Sequence, residues 1–272
     1  MTNKLKTILS IAASDPLGGA GIQQDLRVGN ALGVHVLTAI TGITVQNSRG
    51  FYNLVSVTYK LLSEQLRAIL EDVTPDAIKI GMTGSVECID VISDFINKSP
   101  EVPVIFDPVL NPTVTNFSSN NNFDDLIIGY KEKLFPFTKI LTPNLKEFKI
   151  IFGTEFQDNI NSLRNCLTTN NLGYMVIKGG DISDNIITDY LVSTNKIISF
   201  EHPKISCRNL HGTGCALSTI LASRIAVGDT IEDAFFYSEK KMKAIIEKSC
   251  DYQLGNSSYG PLNINDYKFS KN

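Results

Sequence analysis

Short, apolar, β-rich runs alternate along this 272-residue chain with longer amphipathic stretches, and this alternation limits the fold more than any other feature. Most of the short runs are continuously apolar, which is typical of strands covered on both faces. The pattern predicts strands over 7–13, 35–45, 77–81, 102–106, 138–142, 174–178 and 188–193. It predicts helices over 20–32, 58–71, 86–96, 159–172, 215–227 and 231–248. Strands and helices in alternation form a mainly parallel sheet with right-handed crossovers, so the predicted class is α/β.

Composition and the apolar runs favour a soluble globular chain of one domain. Hydrophobic residues make up 43% of the sequence, and no composition shift or internal repeat marks a boundary. We therefore expect a single domain over 1–272. The apolar run near the N-terminus is too short for a secretory signal, and no window reaches the roughly 18 apolar residues of a membrane span. We expect neither targeting nor membrane association.

Charge and cysteine usage narrow the classes of partner. A formal net charge of -3 argues against a polyanion-binding surface, and so against nucleic acid as a partner. The five cysteines form no C-x-x-C pair and are odd in number, which predicts reduced thiols in a cytoplasm. The three histidines are scattered and predict no metal-ligand cluster.

Several unusual stretches follow predicted strands, and ligands in open α/β sheets bind beyond the carboxyl ends of the strands. The glycines of "SDPLGGAGIQQD" let a ligand approach the backbone closely, although a tight turn explains them as well. Asp25, about one helical turn later, either faces this site or is a solvated helix residue. Gln46 carries an amide donor and acceptor that suit the edge of a heterocycle, and is otherwise a turn residue. Met82 is a ligand contact or part of the core.

Charged and amide side chains follow the later strands. Asp107 comes after a buried strand, where an acid holds Mg²⁺ or repels a misplaced phosphate, or simply forms an Asp-Pro turn. Asn144 and Glu147 have the spacing of a helix start, and the same spacing makes a capping box. Lys178 precedes two glycines, so it is either a phosphate-binding lysine or a lysine at a turn.

The stretch "LHGTGCALS", residues 210–218, is the most informative. Gly212, Thr213 and Gly214 lead into Cys215 at the start of an apolar helix. The unpaired N–H groups and the dipole of that helix favour negative charge, which predicts an anion hole for a phosphoryl group. The same dipole lowers the pKa of a thiol, so we expect Cys215 to be partly ionised near neutrality and to serve as a general base. The alternative is a buried structural cysteine.

The chain resembles the bacterial hydroxymethylpyrimidine/phosphomethylpyrimidine kinases of thiamine biosynthesis, which belong to the ribokinase-like superfamily. The motifs occur in family order from about residue 7 to the "GNSSYGPLN" tail: "AASDPLGGAGIQQDL", "TVQNSRG", "IKIGMTGS", "FDPVL", "LTPNLKE", "VIKGGD" and "HGTGCALS". The resemblance implies a central, mostly parallel sheet with helices on both faces, and a homodimer. It implies transfer of the γ-phosphoryl group of ATP, with Mg²⁺, to 4-amino-5-hydroxymethyl-2-methylpyrimidine and then to its monophosphate.

The resemblance also implies roles for individual residues. The pyrimidine would be held by Ala13, Asp25, Gln46, Met82 and Val109. ATP and the metal ion would be bound by Asn144, Glu147, Lys178 and Thr213, with Asp107 and Glu147 as metal ligands. The reaction itself would depend on the glycines of the anion hole, on the lysine and on the cysteine base: Gly212, Gly214, Lys178 and Cys215.

Departures from the family pattern keep two further hypotheses open. Residues 111–125 are rich in asparagine and serine, which predicts a mobile surface loop, and they replace the Met and Ala-x-Ser-Gly flap element of the family. A phosphate-facing helix lysine of the family falls on Glu239, and Lys240 replaces it only if the helix has slipped. One alternative is a pyridoxal kinase of the same superfamily, whose substrate would leave Gln46 without an aminopyrimidine edge. The other is a ligand-binding protein that retains the pocket but little turnover.

Overall fold

The computed structural model describes residues 4–110, 123–180, 185–255 and 259–264, and within them a nine-stranded sheet has the order β3-β2-β1-β4-β5-β6-β7-β8-β9. The strands are β1 Thr7–Ser14, β2 His35–Asn47, β3 Gly50–Ser56, β4 Ala77–Ile80, β5 Val104–Phe106, β6 Thr138–Leu141, β7 Tyr174–Ile177, β8 Ile186–Val192 and β9 Ile197–Pro203. The central strands from β2 to β7 pair in parallel. The edge strand β3 and the pair β8 and β9 are antiparallel to their neighbours. The predicted mainly parallel sheet is confirmed.

Helices cover both faces of this sheet. They are α1 Gly21–Ala31, α2 Tyr59–Leu70, α3 Val86–Asn97, α4 Phe123–Gly129, α5 Leu145–Phe152, α6 Ile160–Thr169, α7 Thr213–Ala226 and α8 Ile231–Ser249. Because successive residues of a strand point to opposite faces, each buried strand contributes side chains to two hydrophobic cores, one on each face of the sheet. In β1, Leu9 and Ile11 pack with helices α2 to α6, whereas Ile8 packs with α1, α7 and α8.

Short polar residues determine where several helices begin. Thr58, Ser85 and Thr230 each precede a helix and accept a hydrogen bond from a backbone N–H of its first turn. Such a cap satisfies a donor that has no partner within the helix. The β-to-α turns before α2 and α3, and the turn between α7 and α8, are therefore encoded locally.

The elements that the sequence pattern missed lie at the edges of the sheet or are short. β3 and β9 are half-exposed edge segments with alternating rather than continuously apolar side chains, so the rule for doubly covered strands does not find them. Helices α4 and α5 span only 7 and 8 residues. Residues 123–125 belong to α4, which corrects that end of the predicted loop, and the remainder of 111–125 lies outside the described residues.

Among the described residues, the helices are too short or too polar to span a bilayer.

Candidate active site

A cavity of about 110 Å³ opens at the carboxyl ends of β1, β2 and β4. Four of the five residues expected to hold the substrate line it: Ala13, Gln46, Met82 and Val109. Cys215, on the first turn of α7, lines the same cavity. The parallel strands end at one edge of the sheet, and this brings together side chains that lie far apart in the sequence.

Asp25 does not line the cavity, contrary to the expectation from the sequence. Its side chain is fully buried on α1, where it accepts hydrogen bonds from Ser10 Oγ at 2.5 Å and from Thr219 Oγ1 at 2.7 Å. Its carboxylate also pairs with Lys79 Nζ at 2.9 Å. Its partner Lys79 does line the cavity, as does Asp15. The sequence does contain an indication that Lys79 is important: it is a lysine inside an apolar strand, and lysine is rarely buried without a partner.

Gln46 is held in place on the cavity wall by its neighbours. Its Nε2 donates to Thr44 Oγ1 at 2.9 Å, and Thr44 in turn donates to the Ser14 carbonyl at 2.9 Å. The side-chain amide has two N–H donors and one carbonyl acceptor. Within the part of the chain that the structure describes, Thr44 uses one donor, and the other donor and the carbonyl are left to meet a ligand.

The thiol of Cys215 is protonated at neutral pH, so the expectation that it is partly ionised is wrong. Burial raises the pKa of Cys215 to about 11, although the positive charge of Lys79 and the N–H of Gly21 both favour the thiolate. The helix dipole alone would lower this pKa. Removal of the sulfur from water has the larger effect because the side chain is only 9% exposed.

The loop before α7 packs closely against two other loops. Gly212 has a φ of +85°, and a Cβ at this position would overlap the carbonyl oxygen of Gly19. A Cβ on Gly214 would lie 3.2 Å from Lys178 Nζ and 3.5 Å from Asp107 Oδ2. The free N–H groups of the first turn of α7 therefore lie between the glycine-rich loop and a lysine. This arrangement suits an anion.

We expect Gly212→Ala to lower turnover by at least about tenfold, because the added methyl both strains a left-handed backbone and pushes the loop away from Gly19. Steady-state kinetics on the purified variant measures this. Gly50→Ala is the matched control, since nothing lies within 4 Å of a Cβ there. Unchanged turnover in Gly212→Ala would show that the loop geometry does not matter.

A histidine links this loop to the glycine-rich turn. His211 Nε2 lies 3.0 Å from Asp15 Oδ2, and the Asp15 carboxylate accepts N–H groups from Leu17, Gly19 and Ala20. Burial opposes ionisation of Asp15, but the hydrogen bonds from His211 and the backbone lower its pKa overall. No local sequence pattern indicates this contact of His211, since its partner lies 196 residues away.

Lys178 and two carboxylates form a second cluster beside the loop. Lys178 Nζ lies 2.9 Å from Asp107 Oδ1 and 3.8 Å from Glu147 Oε2. Asp107 also accepts hydrogen bonds from Thr142 and Ser218. Burial opposes ionisation of Asp107, but Lys178 holds its pKa below the usual value. Three of the residues expected to meet ATP and metal, Asp107, Glu147 and Lys178, thus lie together.

Glu147 and Asn144 form a capping box at the start of α5. Each side chain accepts a hydrogen bond of 2.8 Å from the backbone N–H of the other residue. The structural interpretation of this pair is therefore confirmed. Burial raises the pKa of Glu147 to about 7, despite the charge of Lys178.

Two carboxylates suit a magnesium ion that takes its other ligands from phosphate and water. Mg²⁺ is usually held by one or two protein carboxylates together with substrate phosphates. Asp107 and Glu147 offer this donor set, and they are close enough for the charge of Asp107 to raise the pKa of Glu147. Within the described residues no cluster of three or more His, Cys, Asp or Glu side chains is present. The donor set fits a phosphate-bound metal better than a closed protein site.

Glu239 points into the protein, and the helix has not slipped. Its side chain is 3% exposed, whereas Lys240 is on the exposed side of α8. Burial and the neighbouring Asp189 raise the pKa of Glu239 well above its usual value. Asp189 accepts the backbone N–H of Gly179 at 2.6 Å, so an acid pair lies behind the turn that carries Lys178. Lys240 does not take the place of a phosphate-facing lysine.

The chain is similar in sequence to a bacterial kinase and to a plant enzyme. Over 268 residues it is 32% identical to the hydroxymethylpyrimidine/phosphomethylpyrimidine kinase of Bacillus subtilis (strain 168), covering 97% of this chain and 96% of that protein. Over 263 residues it is 30% identical to the chloroplastic thiamine biosynthetic bifunctional enzyme of Arabidopsis thaliana, covering 95% of this chain and 50% of that enzyme. The chain therefore spans about half the length of the plant relative.

The fold of this chain also matches that of a solved kinase structure. The ADP complex of the pyridoxal kinase of Bacillus subtilis matches with a TM-score of 0.82 and 25% identity, covering 95% of this chain and 97% of that one. The expected ribokinase-like fold is confirmed. The sequence model of the family described as phosphomethylpyrimidine kinase matches residues 15–263, which include most of the cavity wall, the loop before α7 and the Lys178 cluster. The chain belongs to the phosphomethylpyrimidine kinase family.

Proposed function

We propose that this kinase phosphorylates 4-amino-5-hydroxymethyl-2-methylpyrimidine and then its monophosphate, with ATP as the phosphoryl donor. The observation that carries this proposal is the presence of Gln46 and Cys215 on the wall of one cavity, beside an anion-binding helix start. Gln46 suits the aminopyrimidine edge because a free donor and a free acceptor remain on its amide. Ala13, Met82 and Val109 would enclose the ring.

Cys215 is the proposed base of the first transfer. The thiolate takes the proton of the hydroxymethyl O–H, the oxygen forms a bond to the γ-phosphorus of ATP, and ADP leaves. With a pKa of about 11, only a fraction on the order of 10⁻⁴ of the enzyme carries the thiolate at pH 7. The thiolate is correspondingly basic. In the second transfer the monophosphate supplies an oxygen that is already ionised, so this base is not needed.

Gly212, Gly214 and Lys178 would stabilise the charge of the transferring group. Preformed N–H donors and a lysine in a site shielded from water are effective because they need not reorganise during the reaction. Asn144 and Thr213 would contact the nucleotide next to them. Asp107 and Glu147 would hold Mg²⁺, which supplies neutralising charge to the phosphates when bound.

We also propose a homodimer in the cytoplasm. Ile43 and Val45 on β2 and Val55 on β3 share one face of the edge hairpin, and each is more than half exposed. Exposed apolar patches of this kind are typical of interfaces. All five cysteines are free thiols, as expected in a reducing compartment.

The function is tested by ATP turnover with Mg²⁺ and hydroxymethylpyrimidine, its monophosphate or pyridoxal as acceptor. We expect turnover of both pyrimidines, and Gln46→Ala should raise KM for the pyrimidine at least about tenfold through the loss of its hydrogen bonds. Turnover of pyridoxal alone would identify a pyridoxal kinase, an alternative that the similarity to the Bacillus pyridoxal kinase supports. Binding of a pyrimidine without turnover would support the hypothesis of a ligand-binding protein with little turnover. The physical reason would be that Glu239 occupies the position where the family has a phosphate-facing lysine.

A further inference from the structure

We propose that Lys79 is a positioning residue that stabilises the thiolate of Cys215 during proton transfer. This inference rests on the proposed role of Cys215 as base. Lys79 lies in the motif "IKIGMTGS" but takes no part in the scheme given above, and the resemblance assigns it no role. Its side chain is fully buried, so a lysine at this place requires an explanation.

The strand directs the lysine toward the helix that carries the cysteine. Successive side chains of a strand alternate between faces, and Ile78 and Ile80 pack into the core beneath α2 to α6. Lys79 therefore points to the opposite face, which α1 and α7 cover. Lys79 and Cys215 both line the cavity.

Hydrogen bonds link the ammonium group, through Asp25, to the turn of α7 that follows the thiol. Lys79 Nζ lies 3.1 Å and 2.9 Å from the two carboxylate oxygens of Asp25. The first of these oxygens also accepts from Thr219 Oγ1 at 2.7 Å. Thr219 follows Cys215 by four residues on α7, so the two side chains lie on the same face of the helix. The pair of Lys79 and Asp25 is thus anchored directly beside the cysteine.

The ammonium group has donor capacity that Asp25 does not use. An ammonium carries three N–H donors, and within the described part of the chain its hydrogen-bond acceptors are the two oxygens of Asp25. The side chain itself is closed to solvent. Lys79 nevertheless lines the cavity together with Cys215, so the unused donor lies beside the wall on which negative charge develops on sulfur.

The charges around Cys215 favour Lys79 as the main source of thiolate stabilisation. The groups that face the thiol or share its cavity are Lys79, Asp25, Asp107, Lys178, Tyr259, His211 and Asp15. Burial raises the pKa of Cys215, and among its neighbours Lys79 opposes this rise most strongly. The carboxylates of Asp25 and Asp107 act in the other direction. Loss of Lys79 would therefore leave the thiol surrounded by a net negative field.

The test measures alkylation of Cys215 by iodoacetamide from pH 7 to 10, followed by mass spectrometry of the peptide that contains it. This readout needs no kinase turnover, so it is independent of whether the pyrimidine is the substrate. We expect Lys79→Met to slow alkylation at a given pH by about tenfold or more, since removal of an adjacent opposite charge raises a pKa by roughly one unit or more. Because Lys79→Met leaves Asp25 buried without its partner, the double variant Asp25→Asn/Lys79→Met is measured too. There we expect a smaller slowing in the same direction.

Lys6→Met is the matched control, because Lys6 pairs with Asp76 at the surface and its loss should leave the alkylation rate unchanged. In both Lys79 variants kcat should fall at neutral pH and recover partly as the pH rises, with KM for the pyrimidine little changed. The proposal would be overturned if the folded double variant were alkylated with the same pH profile as the enzyme without substitutions. Lys79 would then be a structural residue only.

Discussion

Cys215→Ala should lower kcat for hydroxymethylpyrimidine by about 10²–10⁴-fold, the usual contribution of a positioned general base. The side chain lies on the cavity wall at the start of α7, so its loss removes the proton acceptor without removing the groups that hold the ring or the phosphates. We therefore expect the affinity for the pyrimidine to change little. Steady-state kinetics and isothermal titration calorimetry with the same preparation measure both quantities.

The matched control for this prediction is Cys166→Ala. Cys166 is half-buried on α6, on the other face of the sheet, and its replacement should leave kcat unchanged. Phosphorylation of the monophosphate should be less sensitive to Cys215→Ala, because an ionised phosphate needs no base. If Cys215→Ala keeps more than half of the original kcat for the first transfer, Cys215 is not the base.

Lys79→Met should lower the free energy of unfolding by about 3–5 kcal/mol, the cost of leaving one partner of a buried ion pair uncompensated. Both Lys79 and Asp25 have fully buried side chains, so solvent cannot screen the remaining carboxylate. The double variant Asp25→Asn/Lys79→Met should recover most of this loss, because a neutral pair of similar size carries no such penalty. Urea denaturation followed by circular dichroism measures the three proteins.

The exposed pair of Lys6 and Asp76 provides the comparison. Lys6 is 48% exposed, so Lys6→Met should cost at most about 1 kcal/mol. Equal losses in Lys6→Met and Lys79→Met, or a double variant no more stable than Lys79→Met, would show that burial of the ion pair does not determine its contribution.

The sequence was a good guide to the centre of the sheet and a poor one to its edges. All seven predicted strands are present. Six of them take part in parallel pairs, and a parallel strand covered on both faces must be apolar at almost every position. β3 and β9 have one exposed face and pair antiparallel at or near an edge, and their mixed composition resembles that of a loop.

In the candidate site, too, the sequence predicts some positions correctly and others not. Gln46 and Met82 were found because they follow strands, and parallel strands bring their ends together whatever the details of packing. Asp25 also lies near a strand end, but the rotation of α1 turns it toward Lys79 and away from the cavity. The sequence cannot specify that rotation, since it depends on how α1 packs against α7.

The sequence by itself determined the α/β class, the order of the motifs and the helix start that carries Cys215, since each follows from local patterns of apolar, glycine and polar residues. Only the tertiary structure decided the protonation of that cysteine. Its pKa of about 11 results from burial, with Lys79 acting against it. Dielectric environment and nearby charge come from residues distant in the chain, so the local motif predicted a helix-dipole effect that burial outweighs.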